Sequence, residues 1–510
     1  MAVGSALSVG LIGLKTFVIQ IQSFISPGLP YFSIIGLPDA SLSEARERVR
    51  SACQASGFSW PQTRVTVNLS PASLPKRGSS HDLAIAASVL SAAGVIPVER
   101  LARTVVIGEV NLDGSVLPIN GLLPIVIHAQ RNGIGTIVVP YGNKAEAELI
   151  GDVEMIYVRH VSELITHMGG SSTCSASEIT LSDVQTSSES KASVSPTADM
   201  GEVVGQEHIK WVLQVAAAGG HHLLMTGPPG SGKTMLASRM PGIMSPLNDR
   251  EQLEVASVRS LCGTLPAFGI SDVPPFEAPH HTASSAALIG GGSGVARPGA
   301  ITRAHRGILF MDEAPEFSPR ALQTLREPLE SGYVALSRAK GTTYYPARFQ
   351  LIMASNPCPC GFGYGNAERC VCRERDRSRY FARLSGPILD RLDMQVDVPP
   401  VDHIAHGSVT PHTTSGDMRR RVISARETAQ ERFREQHWTC NAEASGSWLR
   451  SHTSHQALAL INQSLKSQRL SLRGADRAMR LAWTLCDLTG RTSPGREEIM
   501  QGIMLRTRTS

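Results

Sequence analysis

The octapeptide GPPGSGKT at residues 227–234 constrains this chain more than any other stretch. It matches the spacing G-x-x-x-x-G-K-[ST] and stands between an apolar run, HHLLMT, and a helix-like run, TMLASRM. A glycine-rich turn between a buried strand and a helix presents successive backbone N–H groups to an anion without interference from Cβ atoms. Gly227, Pro228, Pro229, Gly230, Ser231, Gly232, Lys233 and Thr234 are therefore expected to form a phosphate-binding loop. Lys233 would reach the β and γ phosphates of a nucleotide, and the Thr234 hydroxyl would bind Mg²⁺.

Two further segments complete a pattern. GILFMDEAPE, residues 307–316, is an apolar strand ending in two carboxylates. Asp312 is expected to hold Mg²⁺ through water, and Glu313 to polarise an attacking water. Alone, such a pair would read as a solvated turn. FQLIMASN ends at Asn356, whose amide can position the same water. GPPGSGKT, LFMDE and MASN, in this order and spacing, resemble the Walker A, Walker B and sensor 1 motifs of AAA+ ATPases. The resemblance implies ATP hydrolysis with Mg²⁺ in a P-loop AAA+ core with a helical lid. It also implies roles for two arginines. Arg391, in GPILDRLD, resembles the finger that an AAA+ ring supplies in trans to its neighbour's γ-phosphate. Arg473, in SLRGADR, resembles sensor 2 at the start of a lid helix. A finger acting in trans implies a ring, a homo-hexamer. Without the motif frame each arginine would read as a surface ion pair.

Two insertions narrow the resemblance. One is APHHTASSAALIGGGSGVARPGAITRAHRG. The other, LESGYVALSRAKGTTYYPARF, reads as a hairpin with its turn at AKG. They look like the helix-2 insert and pre-sensor-1 hairpin of magnesium chelatases and minichromosome-maintenance helicases. With GLPDASLSEARERVRSA, VNLSPASLPKRG, NPCPCG and LSGPILDRLD, the chain resembles the YifB/ComM family of magnesium-chelatase-like AAA+ proteins over nearly its whole length, the linker apart. That resemblance implies a hexameric DNA helicase that extends recombination intermediates by branch migration during transformation. A chelatase-like ATPase that remodels a protein partner is the alternative. In a ring, the hairpin tip would face the pore, so Arg338 and Lys340 are candidates for contact with single-stranded or branched DNA. An ordinary solvated turn lysine is the other reading of Lys340. Tyr344 and Tyr345 are candidates for base stacking, with strand packing expected for at least one.

The length, 510 residues, suits two or three domains. Residues 171–197, SSTCSASEITLSDVQTSSESKASVSPT, are about half Ser and Thr, the composition of a flexible linker. The expected division is 1–170, a linker at 171–200, an ATPase core at 201–400, and a helical part at 401–510. The first part alternates strands (RVTVNLS, TVVIGEV, GTIVVPYG) with helical runs, which is α/β or α+β. It resembles the proteolytic domain of Lon protease, with its α+β, ribosomal S5 domain 2-like fold. PKRGSSHDLAIA then sits where Lon-type enzymes carry their nucleophile loop, with Ser80 near the serine position. The lysine of the Lon dyad corresponds to Leu123 in LPINGLLP, which cannot accept a proton. Lys76 belongs to the preceding turn. Proteolysis is therefore not expected, and this part would serve in assembly or in docking a protein partner.

Cysteine usage adds a metal candidate. The chain has 9 cysteines, an odd count, and its N-terminus reads as two strands rather than a signal peptide. Both features favour a reducing cytoplasm. Cys358, Cys360, Cys370 and Cys372 form C-x-C-x9-C-x-C, which suits a structural tetrahedral Zn²⁺; four reduced thiols are the alternative. The net charge of +5 permits a polyanionic partner but does not require one. No run of eighteen apolar residues is present, so no membrane span is expected.

Overall fold

The computed structural model describes residues 3–36, 39–71, 79–172, 198–266, 269–291, 297–338, 341–365, 367–384, 386–400 and 413–507. Most of the Ser/Thr-rich linker, Lys76 and Lys340 lie outside the described residues.

The N-terminal region is built on β1 (Val3–Ile12), β2 (Lys15–Ser26), β3 (Tyr31–Ile35), β4 (Arg64–Ser70), β5 (Thr104–Val106), β6 (Thr136–Pro140) and β7 (Glu154–Val158). They form one mixed sheet in the order β3-β4-β2-β1-β5-β6-β7. β1 and β2 pair antiparallel as a hairpin, and β4 pairs antiparallel with β2. The remaining neighbours are parallel. In β2, KTFVIQIQSFIS, Ile19 and Ile21 are buried and Val18, Gln20 and Gln22 are exposed, as alternation dictates for a sheet with one covered face. The cover comes from α1 (Asp39–Ala55) and α2 (Asp82–Ala92). α2, DLAIAASVLSA, is buried at every position, which its apolar character on all sides requires. On the other face α3 (Leu122–Arg131) packs Leu122, Ile125, Val126 and Ala129 against Val9, Val105 and Ile137.

The second region carries a parallel sheet of β8 (Leu223–Thr226), β9 (Phe276–Glu277), β10 (Ile308–Met311), β13 (Gln350–Ser355) and β14 (Met394–Asp397), in the order β9-β10-β13-β8-β14. LLMT, ILFM and QLIMAS are buried throughout, as expected of strands covered on both faces. Between β10 and β13 runs a hairpin of β11 (Tyr333–Arg338) and β12 (Gly341–Pro346), where the sequence reading puts one. The helices of this region include α4 (Glu207–Gly219), α5 (Lys233–Ser238), which follows the phosphate loop, and α6 (Asp249–Cys262). The C-terminal region is helical, with α7 (Ser415–Arg432), α8 (Leu472–Thr489) and α9 (Arg496–Arg506) among its elements. A Thr414–Asp417 capping box starts α7, and Gly490 in the left-handed region ends α8.

The two α/β regions meet through α3 and α6. Leu123 and Ile127 pack on Ala256, with Leu149, Leu253, Leu265 and Ile270 around them. The Gly121 N–H donates to the Ser260 carbonyl at 3.1 Å. The Leu123 N–H donates to Glu146 Oε1 at 2.9 Å, and the Ser260 hydroxyl donates to the same carboxylate. Among the described residues, no helix is long and apolar enough to cross a membrane.

Candidate functional site

The site lies at the C-terminal ends of β8, β10 and β13, where an open parallel sheet gathers ligand-binding loops. The loop Gly227–Gly232 leaves β8 and turns into α5 through Gly230 and Gly232, at φ +78° and +83°. A side chain on either residue would strain that turn.

Lys233 is buried at the first turn of α5. Its ammonium donates to the carbonyls of Gly227 (2.7 Å) and Pro228 (2.9 Å), and reaches Ser231 Oγ and Asn356 Oδ1 at 3.4 Å each. Burial lowers its pKa, while Asp312 and Glu313 pull the other way. The cation therefore sits over the loop on neutral acceptors, which phosphate oxygens can replace with a gain in charge pairing. The Thr234 hydroxyl donates to Asp312 Oδ2 at 2.6 Å, which brings the two expected Mg²⁺ ligands together. Asn356 follows β13 directly and so faces the same loop.

Glu313 adopts a left-handed conformation, φ +50°, just after β10. Its N–H donates to Asp312 Oδ1 at 2.9 Å, and its carboxylate lies 3.2 Å from His281 Nδ1. His281 was not singled out from the sequence. The only signal was its place in the insert, in APHHT. Gln206 was also missed. It bridges the loop to the end of β14 by donating to Ser231 O (3.3 Å) and Pro399 O (2.8 Å).

The two arginines lie elsewhere. Arg391 pairs with Glu330 and donates to Pro387 O at 2.6 Å. Arg473 pairs with Asp390 and is exposed. None of these partners belongs to the phosphate loop or to the ends of β10 and β13. Arg477, one turn beyond Arg473 on α8, is the more deeply buried cation. It pairs with Asp393 Oδ1 at 2.7 Å and donates to the Arg391 carbonyl. Asp393 also accepts the His222 N–H at 2.9 Å and lies 3.8 Å from His221 Nδ1. Burial pushes the Asp393 carboxyl up, but the nearby His221 imidazole and the charge of Arg477 hold it well below the usual carboxylate range. The network anchors α8 to the strand that follows Arg391. Spacing alone could not distinguish Arg477 from its neighbours in RGADRAMR.

The hairpin ends at Arg338, paired with Gly341; the Arg338 side chain is not among those described. Tyr344 is half exposed and stands edge-on to Tyr333, whereas Tyr345 is buried. The four cysteines are brought together: all their sulfurs lie within 4.8 Å of one another.

In the N-terminal region, Ser80 precedes α2 and its carbonyl accepts the Gly108 N–H at 3.0 Å. His81 Nδ1 is 3.0 Å from the Ser8 hydroxyl. Asp82 accepts from Arg48 Nε at 2.7 Å, and burial pushes its carboxyl up to about 7 against the pull of that arginine. Leu123 is wholly buried in the contact with α6.

Comparison with known families agrees with this geometry. Residues 199–405 match the family described as magnesium chelatase, subunit ChlI. Residues 21–143 match subunit ChlI of Mg-chelatase, and residues 412–506 its ChlI C-terminal family. YifB of Salmonella typhimurium is 38% identical over 97% of this chain and 95% of its own length. The competence protein ComM of Haemophilus influenzae is 35% identical over 94% and 92%. The chain belongs to the YifB/ComM family of magnesium-chelatase-like proteins. It is thus an AAA+-like ATPase by family, and the assembled site fits ATP with Mg²⁺. A shorter similarity, 28% identity over 29% of the chain, links it to Lon protease of Escherichia coli.

Proposed function

We propose that this YifB/ComM-family protein is an ATP-driven motor on single-stranded or branched DNA, working as a homo-hexameric ring in recombination or transformation. The observation that carries the proposal is a division within the site. Lys233, Thr234, Asp312 and Asn356 converge on one loop, while Arg391 and Arg473 sit with Glu330 and Asp390 instead. A chain arranged in this way needs a cation from a neighbour to neutralise a transferring γ-phosphoryl group.

On this reading ATP and Mg²⁺ are the cofactors, and the cysteine cluster is a site for structural Zn²⁺. Lys233 binds the β and γ phosphates, and Thr234 and Asp312 hold the metal. Glu313 accepts a proton from the attacking water, which Asn356 orients in line with the leaving oxygen. Arg391 reaches the neighbouring subunit's γ-phosphate, and Arg473 serves as sensor 2 at the start of the lid helix. Arg338 and Lys340 contact DNA phosphates from the hairpin tip. The N-terminal region docks a protein partner or supports assembly.

The name of ComM, a competence protein, supports the DNA reading. The match to magnesium chelatase over the motor favours a second reading, the same machine acting on a protein partner. Steady-state ATPase rates with and without single-stranded and branched DNA, at two salt concentrations, separate the two. Salt-sensitive stimulation that falls in Lys340→Ala supports the DNA motor. A rate indifferent to every DNA supports the protein remodeller. Lys233→Ala is the blank.

A further inference from the structure

We infer that Cys358, Cys360, Cys370 and Cys372 hold one zinc ion as four thiolates, and that this ion clamps the segment after Asn356 onto the phosphate loop. The zinc half of the inference stands on the cysteines alone. The clamp rests on the ATPase reading above.

The sulfur positions carry the first half. Tetrahedral zinc with Zn–S bonds of about 2.3 Å places its sulfurs about 3.8 Å apart. Cys358 Sγ lies 3.3 Å from Cys360 Sγ and 3.6 Å from Cys370 Sγ, and Cys360 Sγ lies 3.6 Å from Cys370 Sγ. Cys372 Sγ completes a set within 4.8 Å. These separations are far too long for disulfide bonds, which measure about 2.05 Å. They are as close as four sulfurs stand around one ion. The Gly363 N–H donates to Cys358 Sγ at 3.2 Å, the kind of outer contact that orients a metal-bound thiolate. With four sulfur ligands and no position left for water, such an ion is structural rather than catalytic.

The surroundings carry the second half. Cys358 stands two residues after Asn356, the residue that reaches Lys233. Gly361, inside the first cysteine arm, adopts φ +84° and lies against Pro229 of the phosphate loop. A Cβ there would stand 2.5 Å from Pro229 Cγ. After Cys372 the chain enters the helix Glu374–Ala382, and beyond it Arg383 pairs with Glu316 at 3.2 Å. Glu316 lies four residues past Asp312. One ion would therefore fix a short loop that follows Asn356 and lies against the phosphate loop. Such a loop has little apolar core of its own, and a metal replaces the missing core by cross-linking it.

The test uses the full chain purified without added chelator. The expected result is one zinc per chain by elemental mass spectrometry, released when a mercurial titrates the thiols. Cys360→Ser and Cys370→Ser should lose the ion, and Cys262→Ser should keep it. Lys233→Ala should also keep it, so a failure of the ATPase reading leaves the zinc result legible. Binding of a fluorescent ATP analogue should weaken about tenfold when the ion is removed and recover when zinc is returned. Should the serine variants not fold, mercurial release from the native chain supplies the same readouts. No zinc after growth in zinc-rich medium, with four freely reacting thiols, would overturn the site, as would equimolar iron in place of zinc. Zinc present, with nucleotide bound equally well after its removal, would overturn the clamp.

Discussion

Two stretches of this sequence carry a lysine and a serine shortly before or at the start of a helix: PKRGSSHD at α2 and GPPGSGKT at α5. They differ in what the rest of the fold brings to them. At the second loop, β13 delivers Asn356 to Lys233 and β10 delivers Asp312 to Thr234. At the first, Leu123, expected from the sequence to stand where Lon-type enzymes carry their lysine, has its side chain buried against α6. His81 bonds to Ser8 and Asp82 to Arg48. Among the described residues, no ionisable side chain hydrogen-bonds the Ser80 hydroxyl. A serine at a helix start is a weak nucleophile unless a base reaches it. The comparison teaches that a loop motif becomes a site only where separate strands end beside it.

The sharpest way to break this contrast is at Arg391. Arg391→Ala is expected to lower ATP turnover about a thousandfold, the scale of a missing arginine finger. Mixing it with Lys233→Ala should restore part of the rate, because some subunit pairs then combine an intact loop with an intact finger. No recovery in mixed assemblies would count against action in trans.

Next come the two loops themselves. Lys233→Ala should reduce turnover at least about a hundredfold, with the fold retained by circular dichroism. Ser80→Ala should leave turnover unchanged, and a fluorophosphonate probe should not label Ser80. Labelling would reopen the first loop as a nucleophilic site.

Removing one partner of a buried ion pair leaves the other charge uncompensated. Asp393→Asn should therefore cost about 3–5 kcal/mol in denaturant unfolding of the second region. A loss below about 1 kcal/mol would mean that the Arg477 network does not anchor α8.

The smallest effect is a pH slope. Burial holds the His222 imidazole down at about 4, below its ordinary 6.5, although Asp393 opposes the shift. The unfolded chain binds this proton below 6.5 and the folded chain resists it until about 4. Stability should thus be complete above pH 6.5 and fall as pH drops toward 4, by up to about 3 kcal/mol. Thermal midpoints across that window check it; a flat profile would show that His222 is more accessible than the structure has it.

Much of the nucleotide site was legible in the chain, because its chemistry is local. GPPGSGKT needs left-handed glycines within one turn, and LFMDE and MASN are buried runs ending in polar groups. The hairpin too was legible, from two strand-like runs around AKG. His281, Gln206 and Arg477 were not, since each acquires its role from a partner far along the chain. The place of Leu123 between the two regions was equally invisible; an apolar residue reads the same in any core.

The sequence by itself determined which segments form strands, turns and helices, because backbone preferences and apolar periodicity act over a few residues. It also determined the phosphate loop, whose glycines and lysine are contiguous. Only the tertiary structure decided which strand ends meet. The order β9-β10-β13-β8-β14 departs from chain order, and it sets Asn356 beside Lys233 and Asp312 beside Thr234. The same packing put Leu123 into an interface and gathered four sulfurs around one point. Such encounters depend on long-range burial, which distributes apolar area over the whole chain and leaves no local mark in the residues it brings together.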